Sequence, residues 1–188
     1  MKRIVPEMLV LLLAGCAVTR PQPKIDPATL DRDSFLSWLA DQPMVSASEA
    51  YRAMLIAETD QDPGSDFTSN QQEVFRRDIA RPEWKLKPDQ AIDKATAAFM
   101  AVQVAKLRGG INLNLFGRAL HLGDRRYAYR EVIYEGLWQN VGTPYMVLTG
   151  GEFVTFLTWA DERREKGGEA ELPRRPPAAA PATAPATQ

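Results

Sequence analysis

The sequence predicts a mainly α fold built from helix-loop-helix repeats. Helix start signals are dense, apolar residues recur at helical spacing, and one arrangement of tryptophan, proline, aliphatic residue and cap occurs three times. Capping-box spacing, in which a hydroxyl caps one amide and a residue three positions on reaches back, occurs at Ser46 to Glu49, Thr68 to Gln71 and Thr149 to Glu152. Asp93 and Asp124 are further N-cap candidates. Stop signals follow at Pro63-Gly64, Gly109-Gly110 and Gly167-Gly168.

These signals place helices at 34–41, 47–59, 69–80, 94–107, 125–137 and 150–165. Apolar residues at helical spacing, such as Phe99 and Val102 or Phe153, Phe156 and Leu157, give the later ones a face to bury. Ile111, Leu113 and Leu115 alternate as a strand would, but Gly110 and Gly117 bracket them, which reads as a buried connecting loop.

The two ends of the chain differ from its middle. Met1 to Gly15 has Lys2 and Arg3 followed by an apolar run from Met8 to Ala14, the pattern of an export signal, with Pro6 and Glu7 interrupting its start. The run is far shorter than the roughly 20 apolar residues that span a bilayer, and no other segment comes closer. Residues 16–33, with Pro21, Pro23 and Pro27, read as an extended spacer. Residues 34–167 read as the helical repeat domain, with about 130 residues between the tails and so enough to bury a core. Residues 168–188, rich in Pro, Ala and Thr, cannot bury a core and read as a disordered tail.

Leu13-Ala14-Gly15-Cys16 resembles the lipobox of bacterial lipoproteins. The resemblance implies cleavage before Cys16, lipidation of that cysteine and attachment to a membrane through its acyl chains. The other readings are an ordinary signal peptide that happens to contain Cys, or a core thiol. Position 17 is Ala. The family's sorting rule, in which aspartate at this position retains the protein at the inner membrane, therefore implies a cell-envelope location on the periplasmic face of the outer membrane.

Composition excludes several functions. Cys16 is the only cysteine, so no internal disulfide, thiol metal cluster or CxxC pair exists. The whole chain has a net charge of −1 and Met1 to Gly15 carries +1, which leaves −2 for the processed chain and no basic excess for nucleic acid. His121 is the only histidine, so zinc chemistry lacks ligands and any Ser-His triad would have to use this one residue. Gly109-Gly110 lacks the Lys-Ser or Lys-Thr of a phosphate loop. Asp60, Asp62 and Asp66 sit as in a calcium loop, but the glycine is displaced and Gln71 stands at the closing position, so they read as a solvated turn. The expectation is a non-enzymatic protein without cofactor or metal.

The threefold arrangement aligns Trp38, Pro43, Val45, Ser46 and Glu49 with Trp84, Pro88, Ile92, Asp93 and Thr96, and with Trp138, Pro144, Leu148, Thr149 and Glu152. The period is about fifty residues, and each unit is too small to bury its own apolar face. This pattern resembles the S-layer homology domain, whose second helix opens with Thr-Arg-Ala-Glu. The resemblance implies a pseudo-threefold helical bundle that binds peptidoglycan or a cell-wall glycopolymer. Where that family has arginine, this chain has Ala47, Lys94 and Gly150. The family glutamate is kept at Glu49 and Glu152 and is Thr96 in the middle unit.

Candidate ligand-binding residues are therefore Lys94, Glu49, Glu152, Trp38, Trp84 and Trp138. The tryptophans either offer ring faces to sugars or pack at helix ends, and capping alone accounts for the glutamates. Arg76, Arg77, Arg125 and Arg126 read as a solvated face, unless they converge with Lys94 to bind an anionic glycan. The alternative function is a protein-interaction adaptor in the assembly of an envelope complex.

Overall fold

The computed structural model describes residues 18–107, 124–137 and 142–165. It is mainly α, with six α-helices in the described residues. They are α1 (Arg32–Ala40), α2 (Ala47–Thr59), α3 (Phe67–Arg76), α4 (Lys94–Val104), α5 (Asp124–Tyr134) and α6 (Gly150–Glu165). Short 3-10 turns occupy Pro27–Thr29 and Pro82–Trp84. None of the described helices is long and apolar enough to cross a membrane. The strand-like stretch 111–117, the glycine pairs at 109–110 and 167–168, His121 and the 168–188 tail lie outside the described residues.

Local chemistry sets most helix ends. Ser46 and Glu49 form a reciprocal capping box at the start of α2. Thr149 and Glu152 do the same at α6, where the Thr149 amide donates to Glu152 (2.9 Å) and the Glu152 amide to the Thr149 hydroxyl (3.3 Å). Asp93 caps α4 by accepting from the Thr96 amide at 2.7 Å. Three expectations need correction. α3 begins two residues before the predicted start because Asp66, not Thr68, is its cap, accepting from the Ser69 amide at 2.7 Å. Aspartate is the stronger N-cap of the two, and its charge is favoured at the positive end of the helix. α2 ends at Thr59, as predicted, but its stop is the C-cap Asp60 in the left-handed region (φ 60°) and not Pro63-Gly64. Asp124 is the first residue of α5, and its carboxylate accepts from the Arg125 amide.

Packing runs in a cycle. α2, α4 and α6 each contact the other two, and around them α1 packs on α6, α3 on α2 and α5 on α4. The core they enclose includes Phe35, Leu39, Tyr51, Met54, Phe99, Met100, Phe153 and Phe156, all fully buried. Burying a side chain of this size contributes about 1.5–3 kcal/mol, so the three inner helices hold much of the stabilising surface.

The amino termini of the inner helices close the same cycle through hydrogen bonds. The first amides of α2, Ala47 and Ser48, donate to Gln90 (2.8 Å) and Pro88 (3.1 Å), in the loop before α4. Those of α4, Lys94 and Ala95, donate to Met146 (2.9 Å) and Pro144 (2.8 Å), in the loop before α6. Gly150, opening α6, donates to Gln42 (2.8 Å) in the loop before α2. Orphan amides that would otherwise face water are thereby satisfied by the loop that precedes another inner helix.

The expected spacer is partly folded onto this body. Thr19 bridges Gln90, the Arg20 amide donates to Asp89 (2.9 Å), and the Ala91 amide donates to Val18 (2.8 Å). Farther along, the buried Arg52 donates to the carbonyls of Pro27 and Leu30 (both 2.8 Å), clasps Asp62 (2.6 Å) and lies over the Phe35 ring at 4.1 Å. Residues 18–30 therefore belong to the domain, whose first helix starts at Arg32.

Candidate functional site

Of the candidate ligand residues, Lys94, Glu49 and Glu152 lie at the helix entries just described, and each is already engaged. Lys94 is buried, its side chain 8% exposed, and its ammonium donates to Glu152 at 2.7 Å. Burial alone would raise the Glu152 carboxyl, but Lys94 and the Thr149 amide together hold it below the ordinary carboxylate range. Of the three aligned positions 47, 94 and 150, the one that carries a cation thus ties α4 to α6.

Glu49 occupies the corresponding place at α2, and Arg20 is its partner in a buried ion pair, with side chains 5% and 6% exposed. Arg20 also donates to Gln42 (2.6 Å) and lies over the Trp38 ring at 5.0 Å. At α4 the corresponding residue is Thr96, whose hydroxyl accepts from Arg125 at 3.1 Å. Arg125 reaches Asp93 as well (3.5 Å) and lies over Trp84 at 5.3 Å. At α2 and at α4 a cation therefore covers a tryptophan face and contacts the third residue of the helix, a combined cation-π and polar contact. Both cations come from outside the motif that the alignment singled out.

At position 150 the packing itself excludes a side chain. A β-carbon there would lie 1.7 Å from the Leu39 carbonyl oxygen. The close approach of α6 to the end of α1 leaves no room for any side chain.

Trp38 lies near the end of α1, stacked on Phe35 with centroids 6.1 Å apart. Trp84 is in the 3-10 turn after α3 rather than near a helix end, edge-on to Phe99 at 5.1 Å. Both are half-buried packing residues. Cys16 and Trp138 lie outside the described residues.

Arg76, Arg77, Arg125 and Arg126 do not converge. Arg76 and Arg77 both bind Glu73 (2.5 Å each), and Arg77 reaches Glu58 at 3.1 Å. Arg126 is exposed on a different face from Arg125. The three aspartates of the calcium-like stretch also part: Asp60 binds Arg32 (2.5 Å), Asp62 binds Arg52, and Asp66 caps α3. Among the described residues no group of three metal-ligating side chains gathers.

What remains open at the helix entries is a cleft of about 640 Å³ beside the start of α2, with Arg20, Lys24, Ser46, Ser48, Glu49 and Asp89 in its walls. Its hydroxyls and mixed charges suit a polyhydroxylated ligand rather than an apolar one. The participation of Arg20 was missed in the sequence because it lies 29 positions before Glu49 and carries no motif.

No known family model, characterised protein or solved structure matches the chain.

Proposed function

We propose that the chain is a non-enzymatic, lipid-anchored envelope protein, tethered through Cys16, whose helical domain is S-layer homology-like and binds peptidoglycan or a cell-wall glycopolymer. The observation that carries the reading is the cycle of amide bonds from each inner helix to the next unit's loop. Together with the cyclic packing of α1 on α6, α3 on α2 and α5 on α4, it supports three equivalent units about a pseudo-threefold axis. The tether rests on Leu13-Ala14-Gly15-Cys16, with the outer membrane's periplasmic face as its place.

The internal commitment of Lys94, Glu152, Trp38 and Trp84 moves the ligand away from the aligned positions. It points to the cleft beside α2, where the exposed Lys24 and half-exposed Ser48 are free to face a sugar. Co-sedimentation of the protein with purified sacculi at low salt tests this. Retention that weakens in Lys24→Ala and Ser48→Ala supports it, and protein left in the supernatant rejects it. Cys16→Ser tests the tether separately, because it abolishes incorporation of labelled fatty acid if Cys16 carries the acyl groups.

The adaptor reading has its own observation. A shallow groove between α1, α2 and α6, with Leu36, Ile56, Val154 and Leu157 in its walls and Arg32 and Asp161 at its edges, fits an apolar side chain of a protein partner. A stoichiometric protein recovered from detergent-solubilised envelope, and lost in Leu36→Asp, would select it.

A further inference from the structure

Eleven arginines fall among the described residues, and nine of them form ion pairs. The other two, Arg126 and Arg130, have no ion-pair partner among the described residues. They stand four residues apart on α5, hence on one face, and Tyr134 continues the same row one turn on. All three are exposed, Tyr134 by 55%.

The loop before α6 lies beside them, with Tyr145 63% and Met146 49% exposed. Between loop and helix is a cleft of about 470 Å³, walled by Arg126, Tyr129, Arg130, Ile133, Pro144 and Tyr145, with no described acidic residue in its lining. The loop is held in place, because the carbonyls of Pro144 and Met146 accept the first amides of α4. Two guanidinium groups with no ion-pair partner among the described residues, two exposed tyrosines and an exposed methionine thus share one preformed surface.

We propose that this surface is a second membrane contact, laid on the phosphodiester headgroups of the bilayer to which the chain is tethered. Arginine forks match phosphate oxygens, tyrosine favours the headgroup level where one end of the ring is wet, and methionine enters the acyl boundary. The apolar side chains are too few to hold the domain there alone. Charge complementarity with anionic lipid supplies the rest, and the tether raises the effective concentration of the bilayer. The choice of a bilayer rests on the proposed tether; the face itself does not.

The test uses the chain from residue 16 with Cys16→Ser, the processed form without acyl groups, in flotation with vesicles of phosphatidylglycerol and of phosphatidylcholine. Binding to the anionic vesicles, weakened about tenfold or more by Arg126→Gln with Arg130→Gln and further by Tyr145→Ser, is the expected result. A double variant that floats as well as the parent overturns the proposal, as does absence of binding to phosphatidylglycerol. Loss of sacculus retention in the double variant, with no vesicle binding by the parent, would assign the face to a glycan instead. Fatty-acid labelling of the unsubstituted chain decides the tether independently, so a failed tether and a failed face are told apart.

Discussion

The amino terminus of α6 meets the carboxyl end of α1 at the contact between Gly150 and the Leu39 carbonyl, where a β-carbon would sit 1.7 Å from the oxygen. Because the obstacle is backbone, it cannot be relieved by a rotamer change. Gly150→Ala should cost about 3 kcal/mol or more, at the upper end of overpacking effects, by urea denaturation. Gly151→Ala is the control: its nearest neighbour is the Ala40 oxygen at 3.6 Å, an ordinary contact. It should be neutral or stabilising by up to about 1 kcal/mol, since it removes a glycine from a helix. Equal effects of the two substitutions would contradict the close approach.

Arg20 makes the segment before the first helix part of the fold. Its buried guanidinium lies between Trp38 and Glu49, and removing it leaves a buried carboxylate without its cation. Arg20→Ala should lower stability by about 3 kcal/mol, the usual consequence of breaking a buried pair from one side. It should also change Trp38 fluorescence. A chain starting at Asp31 should show the same loss, and unaltered stability in either would mean that the segment is only a spacer.

The distinction between what was and was not legible follows from the range of the interactions. The starts of α2, α4 and α6 at Ala47, Lys94 and Gly150 were readable because a cap is a bond between residues three apart. The cycle that joins them was legible only as a repeated pattern, since its bonds link residues forty or more positions apart. Arg125 and Arg126 are adjacent, yet one covers Trp84 and the other faces solvent. A helix turns neighbouring side chains about 100° apart, so the sequence cannot give both the same role, but which faces inward depends on where α4 lies. Arg20 and Arg52, buried against distant carboxylates, break the expectation that arginine is a surface residue, and only the tertiary fold supplies their partners.

Lys94 and Glu152 should behave as a structural pair. Glu152→Gln keeps the capping hydrogen bonds available but removes the carboxylate charge that faces the buried Lys94 ammonium, and should cost about 3 kcal/mol. Lys94→Met, which replaces the cation by an apolar chain of similar length, should cost less. The double variant should recover at least about 1 kcal/mol of the summed losses in a double-mutant cycle by urea denaturation. Additive losses would show that the two do not act together. Reduced sacculus retention by Lys94→Met at unchanged stability would instead return Lys94 to the ligand site.

Acid should loosen the domain through the same kind of pair. Arg52 hydrogen bonds hold Asp62 below its ordinary value, and Lys94 and Thr149 hold Glu152 down against burial. Arg76, then Arg77, lower the Glu73 carboxyl to about 2. Each folded-state pKa lies below the unfolded value of about 4. The stabilisation is therefore fully present above that value and lost as pH falls through the folded-state pKa, because the unfolded chain binds protons first. The urea midpoint should fall steadily from about pH 5 to pH 2, and Asp62→Asn should flatten part of that slope while lowering stability at neutral pH. A midpoint that stays constant over this range would show that these carboxylates are not held in their pairs in solution.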